Sequence, residues 1–378
     1  MFVAHDWFTH TSTVSATARH QINGLLAGYC ANVRDYAQHS LGDHISVCVT
    51  GSLARGEPAV RTRARRFRLA SSVDLVVVVS GDNEASRAGV EAFTTSVLEM
   101  DRDILTRVYV VRPGDLGEVS GRFGVDLRLR ADVPLTGPVP EHIADPLIGT
   151  REAFAELVHH LASIYRGDFA PATDPWSAKT ALEALRVLAL RDGTRAQRYS
   201  DLLHDRGLDA VYDPRIVANL IAARERGTAL PVSAEQIYET VVAAACKLFA
   251  LPVDERGLLD ALHTIRPGAH LLDGFQYAVL AATMILYGPR RLRGLAASAL
   301  HVAISALDTD ALAEARPFVT RLRRVSPVDF TRGGAHPDRF LYDHMRKIYR
   351  EYRQCLNEHL LGSSPVADYL GPKQVSRA

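Results

Sequence analysis

The stretch Val49-Thr50-Gly51-Ser52-Leu53-Ala54-Arg55-Gly56-Glu57 is followed, after an arginine-rich insert, by Ser71-Ser72-Val73-Asp74-Leu75-Val76-Val77. A strand ending in Gly-Ser delivers a flexible turn to a helix N-terminus, where free backbone N–H groups and a hydroxyl hold a phosphate. A strand that alternates polar and apolar residues aims its polar ones at one face. Carboxylates two residues apart on such a strand share divalent metal ions, which neutralise a triphosphate and align the attacking group. Asp74 is such a carboxylate, but Ser72, two residues earlier, is a hydroxyl that binds a divalent ion far more weakly. The insert holds Arg61, Arg63, Arg65, Arg66 and Arg68. Guanidinium forks suit phosphate or sulfate oxygens. The insert therefore reads either as an anion clamp, with Arg65 and Arg66 as its ligands, or as a solvated loop.

The elements that must position these residues follow from periodicity. Between Thr11 and Gln38, apolar residues at Val14, Ile22, Leu25, Tyr29, Val33 and Tyr36 predict an amphipathic helix. His44–Val49 reads as a short strand, 58–70 as a loop, and Ser72–Ser80 as the central strand of a sheet, with Gly51-Ser52 at the end of its neighbour. Residues 84–100 read as a helix, and 107–112 and 123–130 as two more strands. The expected fold class is α+β, a small mixed sheet with helices on its faces followed by an all-α part. After Pro134-Leu135-Thr136-Gly137-Pro138 the pattern is helical: 150–166, 177–191, 196–206, 214–226, 233–250, 256–265, 272–287, 291–307, 309–324 and 338–361. The expected division is residues 1–145, 146–362 and a loose tail at 363–378. Leu182, Leu185, Leu188, Val242, Leu248, Leu280, Ile285 and Leu286 are the expected core of the helical part.

Composition narrows the function classes. The chain has 378 residues and a net charge of +1, so no global field draws in nucleic acid, which is not an expected partner. Its longest apolar run, Phe275–Tyr287, is too short to span a bilayer, and Cys30, Cys48, Cys246 and Cys355 show no metal-ligand spacing. A soluble cytoplasmic protein with buried free thiols is the reading, with no membrane contact. His159, His160 and His344 lack partners at ligand spacing, and the Tyr342, Tyr349 and Tyr352 stripe reads as packing. Lys179 opens a helix from which it could reach a phosphate, and Glu183 one turn later is a weaker candidate base.

The Gly-Ser turn, the wording Gly-Ser-Leu-Ala-Arg-Gly-Glu and Asp74 together resemble the nucleotidyltransferase superfamily, the polymerase-β-like group that includes the antibiotic nucleotidyltransferases. The resemblance covers roughly residues 40–138. It implies a phosphate cradle at Gly51 and Ser52, with Arg55 and Ser72 beside it, and Mg2+ on an acid-apolar-acid strand and a later acid. Asp74 supplies one acid; Ser72 stands in place of another. On the strand after the helix Tyr109 stands near the third acid's place, and Asp126, in Gly124-Val125-Asp126-Leu127, is the substitute from the next strand.

Three readings follow. In the first, an enzyme transfers a nucleoside monophosphate from a nucleoside triphosphate to a small-molecule acceptor, with Mg2+ held by Asp74 and Asp126. In the second, the fold is kept and the reaction changed: arginines stabilise a departing phosphate or sulfate during elimination or cyclisation of an anionic metabolite, without metal. In the third, the chain is a non-catalytic subunit that binds a nucleotide or a protein partner.

Overall fold

Ser15, extended at φ −63°, accepts a hydrogen bond from the Ala18 amide and so starts helix α1 (Ala16–Ser40). The buried stripe of α1 is Ile22, Leu26, Tyr29, Cys30, Val33 and Ala37. Leu25, expected in that stripe, is 41% exposed; Leu26 takes its place, one helical position round. The structure is a computed structural model. It describes residues 5–42, 45–63, 65–81, 83–101, 103–116, 121–141, 148–166, 175–193, 197–205, 213–226, 234–251, 254–264, 271–310, 312, 315–330, 337–360 and 364–365.

The sheet carries β1 (Ser46–Thr50), β4 (Val73–Val78), β5 (Thr106–Val111) and β6 (Ser364–Pro365) in the order β1-β4-β5-β6. β4 is antiparallel to β1 and parallel to β5. The parallel step is made by helix α3 (Glu84–Met100), which Asn83 caps by accepting from the Ser86 amide. Alternation then splits the sheet between two cores. Val73, Leu75 and Val77 pack with Val47, Val49, Val108 and Val110 against α1 and α3. Val76 and Val78 look the other way, with Cys48, Val111, Leu116 and Leu127. Each such aliphatic side chain contributes about 1.5–3 kcal/mol by leaving water. Beyond β1, Thr136 forms an isolated antiparallel bridge with Val47, and the Ser46 hydroxyl donates to the Pro138 carbonyl.

Four local expectations are corrected. Residues 58–70 contain a β-hairpin, β2 (Val60–Arg63) paired with β3 (Arg66–Leu69), because Val60 and Leu69 bury in the α1 core and anchor its base. Residues 123–130 lie mostly in a helix, α4 (Gly121–Arg128). Val125, Asp126 and Leu127 are three consecutive buried residues with different neighbours, which a strand with one solvated face does not allow. The helix expected over 196–206 is reduced to a 3-10 turn at Ser200–His204. Ser364–Pro365, placed in a loose tail by sequence, lie on the open edge of β5, where a proline's missing N–H costs no ladder bond.

Among the described residues after α4, most are helical: α5 (Thr150–Ala162), α6 (Pro175–Arg191), α7 (Pro214–Arg226), α8 (Ala234–Leu248), α9 (Glu255–Thr264), α10 (Leu271–Tyr287), α11 (Arg293–Ala306), α12 (Arg316–Arg323) and α13 (Pro337–Leu360). A four-residue helix, α2 (Gly51–Ala54), follows β1. All eight core residues expected of the helical part are buried in one cluster, which Val125 of α4 joins. No helix among the described residues is long and apolar enough to cross a membrane.

Burial also sets the thiol chemistry. Cys48 and Cys30 are free and buried, and burial pushes their thiols up to about 12 and about 11. Both are therefore protonated and inert at pH 8. Alkylation followed by mass spectrometry should leave Cys30 and Cys48 unlabelled at that pH until denaturant is added. Rapid labelling of Cys48 in the native protein would contradict the burial described here.

Candidate functional site

β1 ends at Thr50, and the antiparallel register sets Thr50 directly opposite Asp74. Directly paired residues share a face of the sheet, so the two side chains are neighbours. Gly51 then turns the chain with φ +70°. A Cβ at this position would sit 2.6 Å from Asp74 Oδ2, so the turn and the carboxylate both require glycine. The Ser72 hydroxyl donates to Asp74 Oδ2 at 3.2 Å. On the other side, the parallel register sets Arg107 level with Asp74, and Arg107 Nη1 lies 3.8 Å from Asp74 Oδ1. Tyr109 is one pleat further along, level with Val76, against the apolar patch that contains Cys48 and Leu127.

Two polar atoms in this group are buried without a hydrogen bond: Asp74 Oδ1 and Thr50 Oγ1. Thr50 is 1% exposed, and the Asp74 side chain 16%. An unsatisfied buried hydroxyl or carboxylate oxygen costs about 1–3 kcal/mol or more. The two lie on adjacent strands and on the same face of the sheet. Ser52, the next residue after Gly51, is buried beside them.

Arg55 and Asp126 are brought together elsewhere. The Arg55 side chain, 1% exposed, runs from the end of α2 into the junction between the sheet and the helical part. Its Nε donates to Glu57 Oε2 at 3.2 Å and its Nη1 to Asp126 Oδ2 at 2.5 Å, while Nη2 lies 3.8 Å from Glu183 Oε1. Arg186 on α6 donates to Asp126 Oδ1 at 2.5 Å, to Glu183 Oε2 at 3.4 Å and to the Gln197 carbonyl at 2.7 Å. Tyr199 donates to Glu183 Oε1 at 2.6 Å, and the guanidiniums of Arg55 and Arg224 lie over its ring. Arg224 donates to the Glu57 carbonyl at 2.7 Å. Glu225 beside it accepts from the Thr13 amide at 2.8 Å and the Thr13 hydroxyl at 2.6 Å, tying α7 to the approach to α1.

Burial alone opposes the Arg55 charge, but Asp126, Tyr199, Glu183 and Glu57 outweigh it and hold the guanidinium protonated. The same burial, and then Glu183, pushes the Tyr199 phenol well above its ordinary value. Arg55, Arg186 and Arg224 thus meet Glu57, Asp126, Glu183 and Glu225 in a nearly dry junction. Glu183, considered as a base, is fully buried within it.

The remaining candidates are Arg61, Arg63, Arg65, Arg66, Arg68 and Lys179. Arg65, with φ +62°, and Arg66 are exposed at the hairpin turn. Arg61 pairs across from Arg68, and Arg63 from Arg66; Arg68 also donates to Asp103 at 2.6 Å. Lys179 is half-buried on α6. Among the described residues no group of three or more histidine, cysteine, aspartate or glutamate side chains has the arrangement of a metal site. Sequence reasoning missed Thr50, Arg107, Arg186, Tyr199 and Arg224. For Thr50 and Arg107 the signal is strand register, which a single sequence leaves open. No family profile, curated protein or solved structure matches the chain.

Proposed function

We propose that the chain is an enzyme acting on a phosphate- or sulfate-bearing small molecule, built on the nucleotidyltransferase-type arrangement that Gly51-Ser52 and Asp74 resemble. The observation that carries this reading is the Thr50–Asp74 pair, with two buried oxygens that lack a hydrogen bond, against the Gly51 turn. An anionic group seated there receives hydrogen bonds from hydroxyls, Thr50 and Ser52 among them, and a charge-assisted bond from Arg107. Asp74 Oδ1 is left to accept the proton or hydrogen bond of a ligand hydroxyl. Arginine beside a leaving oxyanion stabilises the charge that develops as the bond breaks.

Nucleotidyl transfer with Mg2+ on Asp74 and Asp126 is the alternative. Supporting the first reading over it is the position of Asp126, whose two oxygens hold Arg55 and Arg186. Calorimetric titration with inorganic pyrophosphate, in EDTA and in Mg2+, separates the two. Wild type is expected to bind pyrophosphate in EDTA, and Thr50→Val to weaken binding about tenfold, the worth of one hydrogen bond near 1.4 kcal/mol. Asp74→Asn is expected to maintain or tighten it, since a negative charge beside an anion is removed. Binding of ATP that requires Mg2+ and disappears in Asp74→Asn would establish the alternative. No binding of either probe under either condition would defeat both.

A further inference from the structure

The residue beside Asp74 on the next strand is a cation. We infer that the Arg107 guanidinium occupies the role of a divalent ion at this site, so that the anionic group is bound with a built-in charge and no Mg2+ is taken up. This deepens the proposed function and rests on its placing the ligand at Asp74.

The donor set is the first argument. Mg2+ demands near-octahedral oxygen ligands at about 2.0–2.1 Å, and in phosphate-handling sites the protein contributes one or two carboxylates. Here Asp74 stands alone. Oδ2 already accepts from Ser72, a neutral hydroxyl at the position where the resembled pattern has an acid. Asp126 is turned into the junction, where both oxygens are engaged by arginines.

Charge is the second argument. The Asp74 carboxylate and the Arg107 guanidinium, 3.8 Å apart, leave the pair near neutral. A divalent ion entering beside Asp74 would meet a like charge at close range, in a partly buried place where screening is weak. An anion approaches through the more exposed member of the pair, which is the cation. Arg107 is 29% exposed in its side chain, so its fork is reachable from solvent while one nitrogen faces Asp74. Guanidinium presents five donors in a plane, enough to hold a carboxylate and a phosphate or sulfate together.

Metal and anion binding are read separately. Mn2+ titration followed by electron paramagnetic resonance should show no stoichiometric uptake by the wild-type chain at millimolar metal. The double variant Ser72→Asp/Arg107→Ala, which adds a second acid and removes the cation, should gain a Mn2+ site at least tenfold tighter than any in wild type. Calorimetry with pyrophosphate in EDTA should show at least a tenfold loss in Arg107→Ala and partial recovery in Arg107→Lys. Circular dichroism checks that each variant folds. Stoichiometric Mn2+ binding by wild type that Asp74→Asn abolishes overturns the inference. So does pyrophosphate binding that Arg107→Ala leaves unchanged. If wild type binds no pyrophosphate at all, the ligand reading has failed, and the inference built on it falls, even if the Mn2+ results are as expected.

Discussion

Asp126→Ala is expected to destabilise the protein by about 3–5 kcal/mol, the usual cost of stranding a buried charge by removing its partner. The carboxylate bonds Arg55 through one oxygen and Arg186 through the other, each at 2.5 Å, with 2% of its side chain exposed. Removing it leaves Glu57 and Glu183 to balance two guanidiniums at longer distances, 3.2 to 3.8 Å. Asp126→Asn keeps one acceptor oxygen and should lose less. Thermal unfolding followed by circular dichroism, compared with an exposed substitution such as Glu99→Ala, measures this. If Asp126→Ala melts with wild type while ligand binding collapses, Asp126 serves the ligand site and its place in the junction is incidental.

Gly51→Ala is expected to abolish pyrophosphate binding, with a loss of more than about tenfold, while costing about 1–3 kcal/mol of stability. Two independent strains meet at this methyl. At φ +70° an L side chain is disfavoured, and the Cβ would lie 2.6 Å from Asp74 Oδ2. The carboxylate must move, taking with it the Ser72 hydrogen bond and its spacing to Arg107. The stability loss and the binding loss are measured on the same sample by melting and by calorimetry. An alanine variant that binds as wild type would show that the ligand does not sit at this turn.

What the chain revealed before folding was what local chemistry alone determines. The valine run of β4 stands out because a strand buried on both faces needs apolar residues at every position, and Asp74 is visible as the exception. Gly51 is legible for the same reason: a strand followed by Gly-Ser has few other uses. The segment 123–130 misled because Val125-Asp126-Leu127 alternates like a strand, whereas the acid is buried by arginines contributed by α2 and α6, 71 and 60 residues away. Arg107 was passed over because a register between parallel strands, set through a 17-residue helix, leaves no mark in either strand. Arg55 was singled out, but beside the phosphate cradle; Arg186 and Arg224, in a chain whose positive charge is almost all arginine, had nothing to distinguish them from surface residues.

The segment Thr50–Glu57 serves two masters. At one end Thr50 and Gly51 lie against Asp74, where the ligand site is proposed, and within seven residues Arg55 and Glu57 are tied to Glu183 of α6 and Arg224 of α7. The half of the chain that holds the site is therefore not a transplantable module. Expressed without α6 and α7, it would expose Arg55, Glu57 and Asp126 to water, with Glu183, Arg186 and Arg224 gone from around them. A chimera that grafts this sheet onto a different helical partner has to bring equivalents of Arg186, Tyr199 and Arg224 with it.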